Sequence, residues 1–161
     1  TGRERYVRRF RKVNFLPEYE DLVDELFRRE QTVSAGFDPG YAGKFETKNA
    51  AFMGRGLCFN KYTGSRGKGG SNDADAEYVA LVRDIMDEAG VDFQTCELGR
   101  VNAGGGGTIA YLCAKYGMNV IDSGIAVLSM HAPYEVISKV DLYEGYRCYC
   151  AFLRHAGPVG Q

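Results

Sequence analysis

The sequence predicts an α/β chain with a mostly parallel sheet and helices on both faces. Three observations carry that prediction. Short apolar runs alternate with segments of helical periodicity; several of those segments are ten or more residues long, the length a parallel crossover needs; and glycines cluster at the joints between them.

Residues 1–31 differ from the remainder and are read as a separate unit, leaving 32–161 as the main domain. Arg3, Arg5, Arg8, Arg9, Arg11 and Lys12 form a basic arm. After it, Leu16, Tyr19, Val23, Leu26 and Phe27 recur at helical spacing, with acidic residues early and Arg28 and Arg29 late, as the helix dipole favours. The stretch SAGFDPGYAGKFETKN that follows is loop by composition, and Gly56 to Tyr62 then reads as a strand. A helix is expected from about Ala74 to Ala89, capped by Ser71, Asn72 or Asp73 and stopped by Gly90. VDFQTCEL is the next strand, TIAYLCAKYG a helix, MNVIDSG and IAVLSMH two further strands, and Lys139 to His155 a closing helix.

Composition narrows the function classes. The formal charge is −1, with 45% hydrophobic and 25% charged residues, an ordinary globular balance rather than that of a polyanion binder. The arm alone is too short to favour nucleic acid over a solvated face or a subunit contact. No apolar run approaches the roughly 18 residues of a membrane span, and the first residues lack the apolar middle of a secretory signal, so a cytoplasmic protein is expected. The five cysteines contain no CxxC pair, which favours reduced thiols over a disulfide framework.

In α/β sheets ligands gather where strands end and helices begin, and three loops qualify. Gly104 to Gly107 stand before a helix; they make either a tight strand-to-helix turn or an anion-binding turn with free amides. KYTGSRGKGG resembles a phosphate loop only superficially, since Lys68 is followed by Gly69 rather than Ser or Thr. It is either a solvated loop or one in which Lys61, at a strand end, presents a positive charge to an acidic group. The third loop follows His131, one of two histidines, in SMHAPYE. Pro133 stops the strand, and the imidazole is either a hydrogen-bonded structural residue or a zinc ligand. One histidine does not make a metal site, and His155, in the closing helix, is poorly placed to join it.

The segments KYTGSRGKGG, CELGRVNAGGGGTIA, YGMNVIDSGIAVLSMHAPYE and SKVDLYEGYRCYCAFL resemble the C-terminal part of the aspartyl aminopeptidase family, from about Val33 to Arg154. Members are dinuclear zinc peptidases that remove acidic N-terminal residues. The resemblance implies a three-layer α/β/α zinc-peptidase domain, incomplete in this chain, and an oligomer of many subunits or a partner chain. It also implies His131 as a zinc ligand, Lys61 as a contact for the substrate's acidic group, and Gly105, Gly106 and Thr108 beside the bound peptide.

The departures limit that expectation. Family members carry a first histidine ligand, a bridging Asp and a Glu-Glu pair upstream, with no counterpart here, and the position expected to hold an Asp ligand is Thr32. Only His131 remains of the five ligands implied, and a threonine hydroxyl is a poor substitute for a carboxylate. Without the bridging carboxylate two cations roughly 3.5 to 4 Å apart repel, and without the general base no water is activated. The expectation is a fragment or subunit of a zinc aminopeptidase, inactive as an isolated chain. The alternative is a catalytically dead relative serving as a structural or binding component of an assembly.

Overall fold

A computed structural model describes residues 33–64, 71–100, 103, 108 and 110–156. The basic arm and helix read over residues 1–31, and the candidate positions Thr32, Gly105 and Gly106, lie outside the described residues.

The chain runs β1 (Val33–Ala35), a short 3-10 segment (Pro39–Lys44), β2 (Leu57–Thr63), β3 (Asn72–Asp73), α1 (Ala76–Ala89) and β4 (Phe93–Glu97). It continues through α2 (Ala110–Ala114), β5 (Asp122–Leu128), β6 (Val136–Ile137) and α3 (Lys139–Ala156). The six strands form one sheet in which β1 pairs β5, β5 pairs β2, β2 pairs both β3 and β4, and β6 pairs β5. The α/β class therefore stands, but the sheet is mixed rather than mostly parallel. β1 with β5 and β2 with β4 are parallel, whereas β2 runs antiparallel to β5 and β3, and β6 to β5. Two parallel pairs are thus joined back to back along the β2–β5 seam. Crossover length predicts correctly that α1 returns β4 parallel to β2, but it says nothing about how separate parallel pairs meet.

The segment read as two strands, 118–124 and 125–131, is the single strand β5. Gly124, at which the two expected strands were divided, lies mid-strand opposite Cys58, where the ladder continues on both sides.

Side-chain alternation sorts the sheet into two faces. Leu57, Phe59 and Ile125 point to one, where Val82, Ile85 and Met86 of α1 and Cys148 of α3 cover them. Leu57 and Met86 are fully buried, each contributing about 1.5–3 kcal/mol of apolar transfer free energy. The other face is built of small groups: Cys58, Cys96 and Ala126 pack with Ala51. There Ser34 Oγ donates to Asn60 Oδ1 at 3.0 Å and Cys96 Sγ donates to the same oxygen at 2.9 Å. All five cysteines are free thiols.

Helix ends follow local chemistry. The cap of α1 is Asp75, not Ser71, Asn72 or Asp73: its carboxylate accepts the Tyr78 amide at 2.7 Å. A cap must stand immediately before the first turn to reach that amide, and Asn72 and Asp73 are committed to β3, opposite Thr63 and Tyr62. Gly90, with φ 60, closes the helix as expected. α2 is shorter than the predicted 108–117, because the Thr108 hydroxyl instead accepts the Ala110 amide at 3.3 Å and Gly117 turns left-handed.

α3 ties the loops together with buried charge. Asp141, fully buried, accepts the Gly54 amide at 2.7 Å and the Gly56 amide at 2.9 Å. Glu144 accepts the Asp92 amide at 2.9 Å and pairs with Arg147, whose guanidinium donates to the carbonyls of Ala89 and Gly90. No helix among the described residues is long and apolar enough to cross a membrane.

Candidate functional site

The β2–β5 register decides which candidate residues meet. Asn60 stands opposite Asp122 and Leu57 opposite Ile125. Lys61 therefore lies beside the beginning of β5, and His131 lies three residues past its end. A seven-residue strand advances roughly 20 Å, so Lys61 and His131 occupy opposite ends of the sheet.

At the first end, Thr108 comes to β2 through hydroxyl chemistry. Its Oγ1 donates to Asp122 Oδ2 at 2.9 Å and lies 3.4 Å from Thr63 Oγ1. Burial pushes the Asp122 carboxyl above the usual carboxylate range, and the two threonine hydroxyls pull it part of the way back. Lys61 turns to Asp73 on the neighbouring strand, and its ammonium is ion-paired there. Both side chains are substantially exposed, so the pair contributes little, about 0–1 kcal/mol. A ligand acid arriving at Lys61 meets an ammonium that already has a carboxylate partner.

At the second end, β5 stops at Leu128 and the chain enters a turn. Ser129 (φ 57) and His131 (φ 67) are the non-glycine residues with positive φ among those described. The Ala132 amide bonds the Ser129 carbonyl at 2.9 Å, and the His131 amide donates to Glu135 Oε1 at 2.5 Å. His131 is exposed, and among the described residues its imidazole has no hydrogen-bond partner.

Zinc chemistry can be tested against these groups. An exposed imidazole on a fixed turn is a suitable single donor. Among the described residues, however, no three His, Cys, Asp or Glu side chains converge on one point. The described residues do not by themselves form a zinc centre.

The buried face between the two ends carries a thiol pair absent from the sequence reading. Hydrogen bonding from the Cys58 thiol holds Cys96 below the usual thiol range, assisted by Ser34 and opposed by burial. The same contact, with burial, pushes Cys58 upward. Asp122, Asp141 and Glu135 were also missed. The signal for Asp122 was legible: a lone carboxylate inside the apolar run NVIDSGIAV. Glu135 left none, since its partner is a backbone amide.

Comparison with known proteins matches these segments to one family. The family described as Aminopeptidase I zinc metalloprotease (M18) matches residues 29–153. A probable M18 family aminopeptidase 1 of Clostridium acetobutylicum is 57% identical over 123 residues, which cover 76% of this chain and 26% of the relative. The Thermotoga maritima counterpart is 42% identical, over 89% of this chain and 33% of its own length. The chain thus spans about a quarter to a third of these relatives. Among solved structures, aminopeptidase I from Clostridium acetobutylicum superposes with a TM-score of 0.71 at 58% identity, over 75% of this chain and 26% of that one. A yeast aminopeptidase solved as a dodecamer shares the fold at a TM-score of 0.58 and 22% identity, over 76% of this chain and 25% of that one. With the matched segment running through β1 to α3 and including both ends of the sheet, the chain belongs to the M18 family of zinc metallo-aminopeptidases.

Proposed function

We propose that this chain supplies one corner of a zinc aminopeptidase active site. His131 provides one imidazole to a dinuclear centre, and the other ligands and the general base come from polypeptide outside the described residues. The observation that carries this reading is the exposed imidazole of His131, without a hydrogen-bond partner among the described residues, on a hydrogen-bonded turn in a chain of this family. Zinc, when bound, polarises the scissile carbonyl and lowers the pKa of the attacking water. The residues of this chain hold and orient.

The substrate in this reading is a peptide with an acidic N-terminal residue, contacted through Lys61, Gly105, Gly106 and Thr108. The distance between Lys61 and His131 adds a condition: both serve one peptide only if separate copies contribute them or the peptide spans the sheet. Exposed Tyr134 (88%) in the His131 turn, and exposed Val140 (62%) and Tyr143 (55%) in the first turns of α3, are apolar surface of the kind subunit contacts cover, which supports a homo-oligomer or partner chain. The dodecamer formed by the yeast protein points the same way. The proposed setting is cytoplasmic, without nucleic acid or membrane. A second reading, a structural component of an assembly, is favoured by Thr32 at a position the family fills with an Asp ligand.

The test is elemental analysis and hydrolysis of aspartyl and glutamyl anilides by the purified 161-residue chain. Weak zinc binding that His131→Ala removes, with no turnover, is the expected result. Stoichiometric zinc with turnover would overturn the incomplete site, and zinc binding indifferent to His131→Ala would overturn the ligand assignment.

A further inference from the structure

We propose that Glu135 is the positioning residue for His131, acting through the main chain rather than through the imidazole. The proposal rests on the ligand reading of His131 given above.

The turn after β5 is held in a conformation that side-chain-bearing residues disfavour. Ser129 and His131 both have left-handed φ, and neither is glycine. Such a backbone persists only where surrounding bonds over-determine it. Two bonds do so here. The Ala132 amide closes the turn onto the Ser129 carbonyl at 2.9 Å, and Glu135 Oε1 receives the His131 amide at 2.5 Å. The second is a charge-assisted bond, of the shorter and stronger kind.

Its placement is what gives it a role. A zinc-bound histidine is commonly oriented by a carboxylate or carbonyl on its other ring nitrogen. Among the described residues the His131 ring has no such partner, and the carboxylate grips the backbone of the same residue instead. Fixing φ of His131 sets the direction of its Cα–Cβ bond, and so the cone within which the imidazole can swing. Pro133, between the two residues, restricts the connecting backbone further. The pairing closes a loop of five residues, His131 to Glu135, ahead of β6, which returns Ile137 against Val127.

The experiment compares the full chain with Glu135→Ala, Glu135→Gln and His131→Ala, each checked for folding by circular dichroism. Two readouts are used: the amide proton resonance of His131, and zinc titration against a chromophoric chelator. The expected result is an upfield shift and faster exchange of the His131 amide in Glu135→Ala, with about 10-fold weaker zinc binding. Glu135→Gln, which keeps an acceptor oxygen, should restore most of both. If the amide resonance is unchanged in Glu135→Ala, the bond does not hold the turn in solution and the proposal falls. If His131→Ala loses zinc while Glu135→Ala binds as the parent does, only the positioning role falls. Zinc binding untouched by His131→Ala removes the ligand reading and the proposal with it.

Discussion

Thr108 donates its hydroxyl proton to Asp122 at 2.9 Å while the same oxygen accepts the Ala110 amide at 3.3 Å. The hydroxyl thereby joins the start of α2 to the start of β5, and its proton is already committed within the protein. Any role of Thr108 beside a peptide is then exerted through its backbone and methyl rather than by donating that proton.

Asp122 makes stability fall with rising pH. Its carboxyl is raised by burial, so the native state holds a proton that the unfolded chain releases near the ordinary value of about 3.9. The contribution is complete below that value and is lost as pH rises through the higher native pKa. Asp122→Asn removes the titrating group but keeps an acceptor for Thr108. Urea unfolding across the acidic range should show the parent weakening relative to this variant with increasing pH; parallel curves would refute it.

Asp141 anchors the 54–56 loop to α3 through two amide bonds from a fully buried position. Asp141→Ala leaves both amides without their acceptor and should cost about 3 kcal/mol in denaturant unfolding. Asp141→Asn retains one good acceptor and should cost roughly half as much.

Gly54 and Gly56 make a matched pair. Both have φ near 80°, but a Cβ on Gly56 would sit 2.0 Å from the Asp92 carbonyl oxygen, while one on Gly54 meets nothing within 4 Å. Gly54→Ala should cost about 1–2 kcal/mol, from backbone strain alone. Gly56→Ala adds a backbone clash at the start of β2 and should lower the melting temperature well beyond the Gly54 variant. Equal losses would mean that the β2–β4 connection is slack.

Lys61 and Asp73 offer a test with little structural penalty. Asp73→Asn should leave stability within about 0.5 kcal/mol, because the pair is exposed. Where Lys61 receives an acidic ligand, the same change should tighten binding of an aspartyl peptide by calorimetry, and Lys61→Met should abolish the gain.

Much was determined by local sequence. α1 and α3 declared themselves through periodicity, Gly90 through its place after the last turn, and β2 and β4 through apolar runs of strand length. These depend on neighbours a few residues apart. His131 was legible as a candidate ligand because its motif is contiguous, SMHAP.

Tertiary structure decided what depends on pairing between distant segments. No local signal says that β5 lies antiparallel to β2, that Gly124 continues a strand, or that Asn72 and Asp73 serve β3 rather than capping α1. Strand direction follows from which edges meet, a property of the whole sheet. That direction in turn places Lys61 and His131 at opposite ends and brings Asp122 under Thr108. The chemistry of single residues was written locally; their distances were set by the register between strands that the chain separates by dozens of residues.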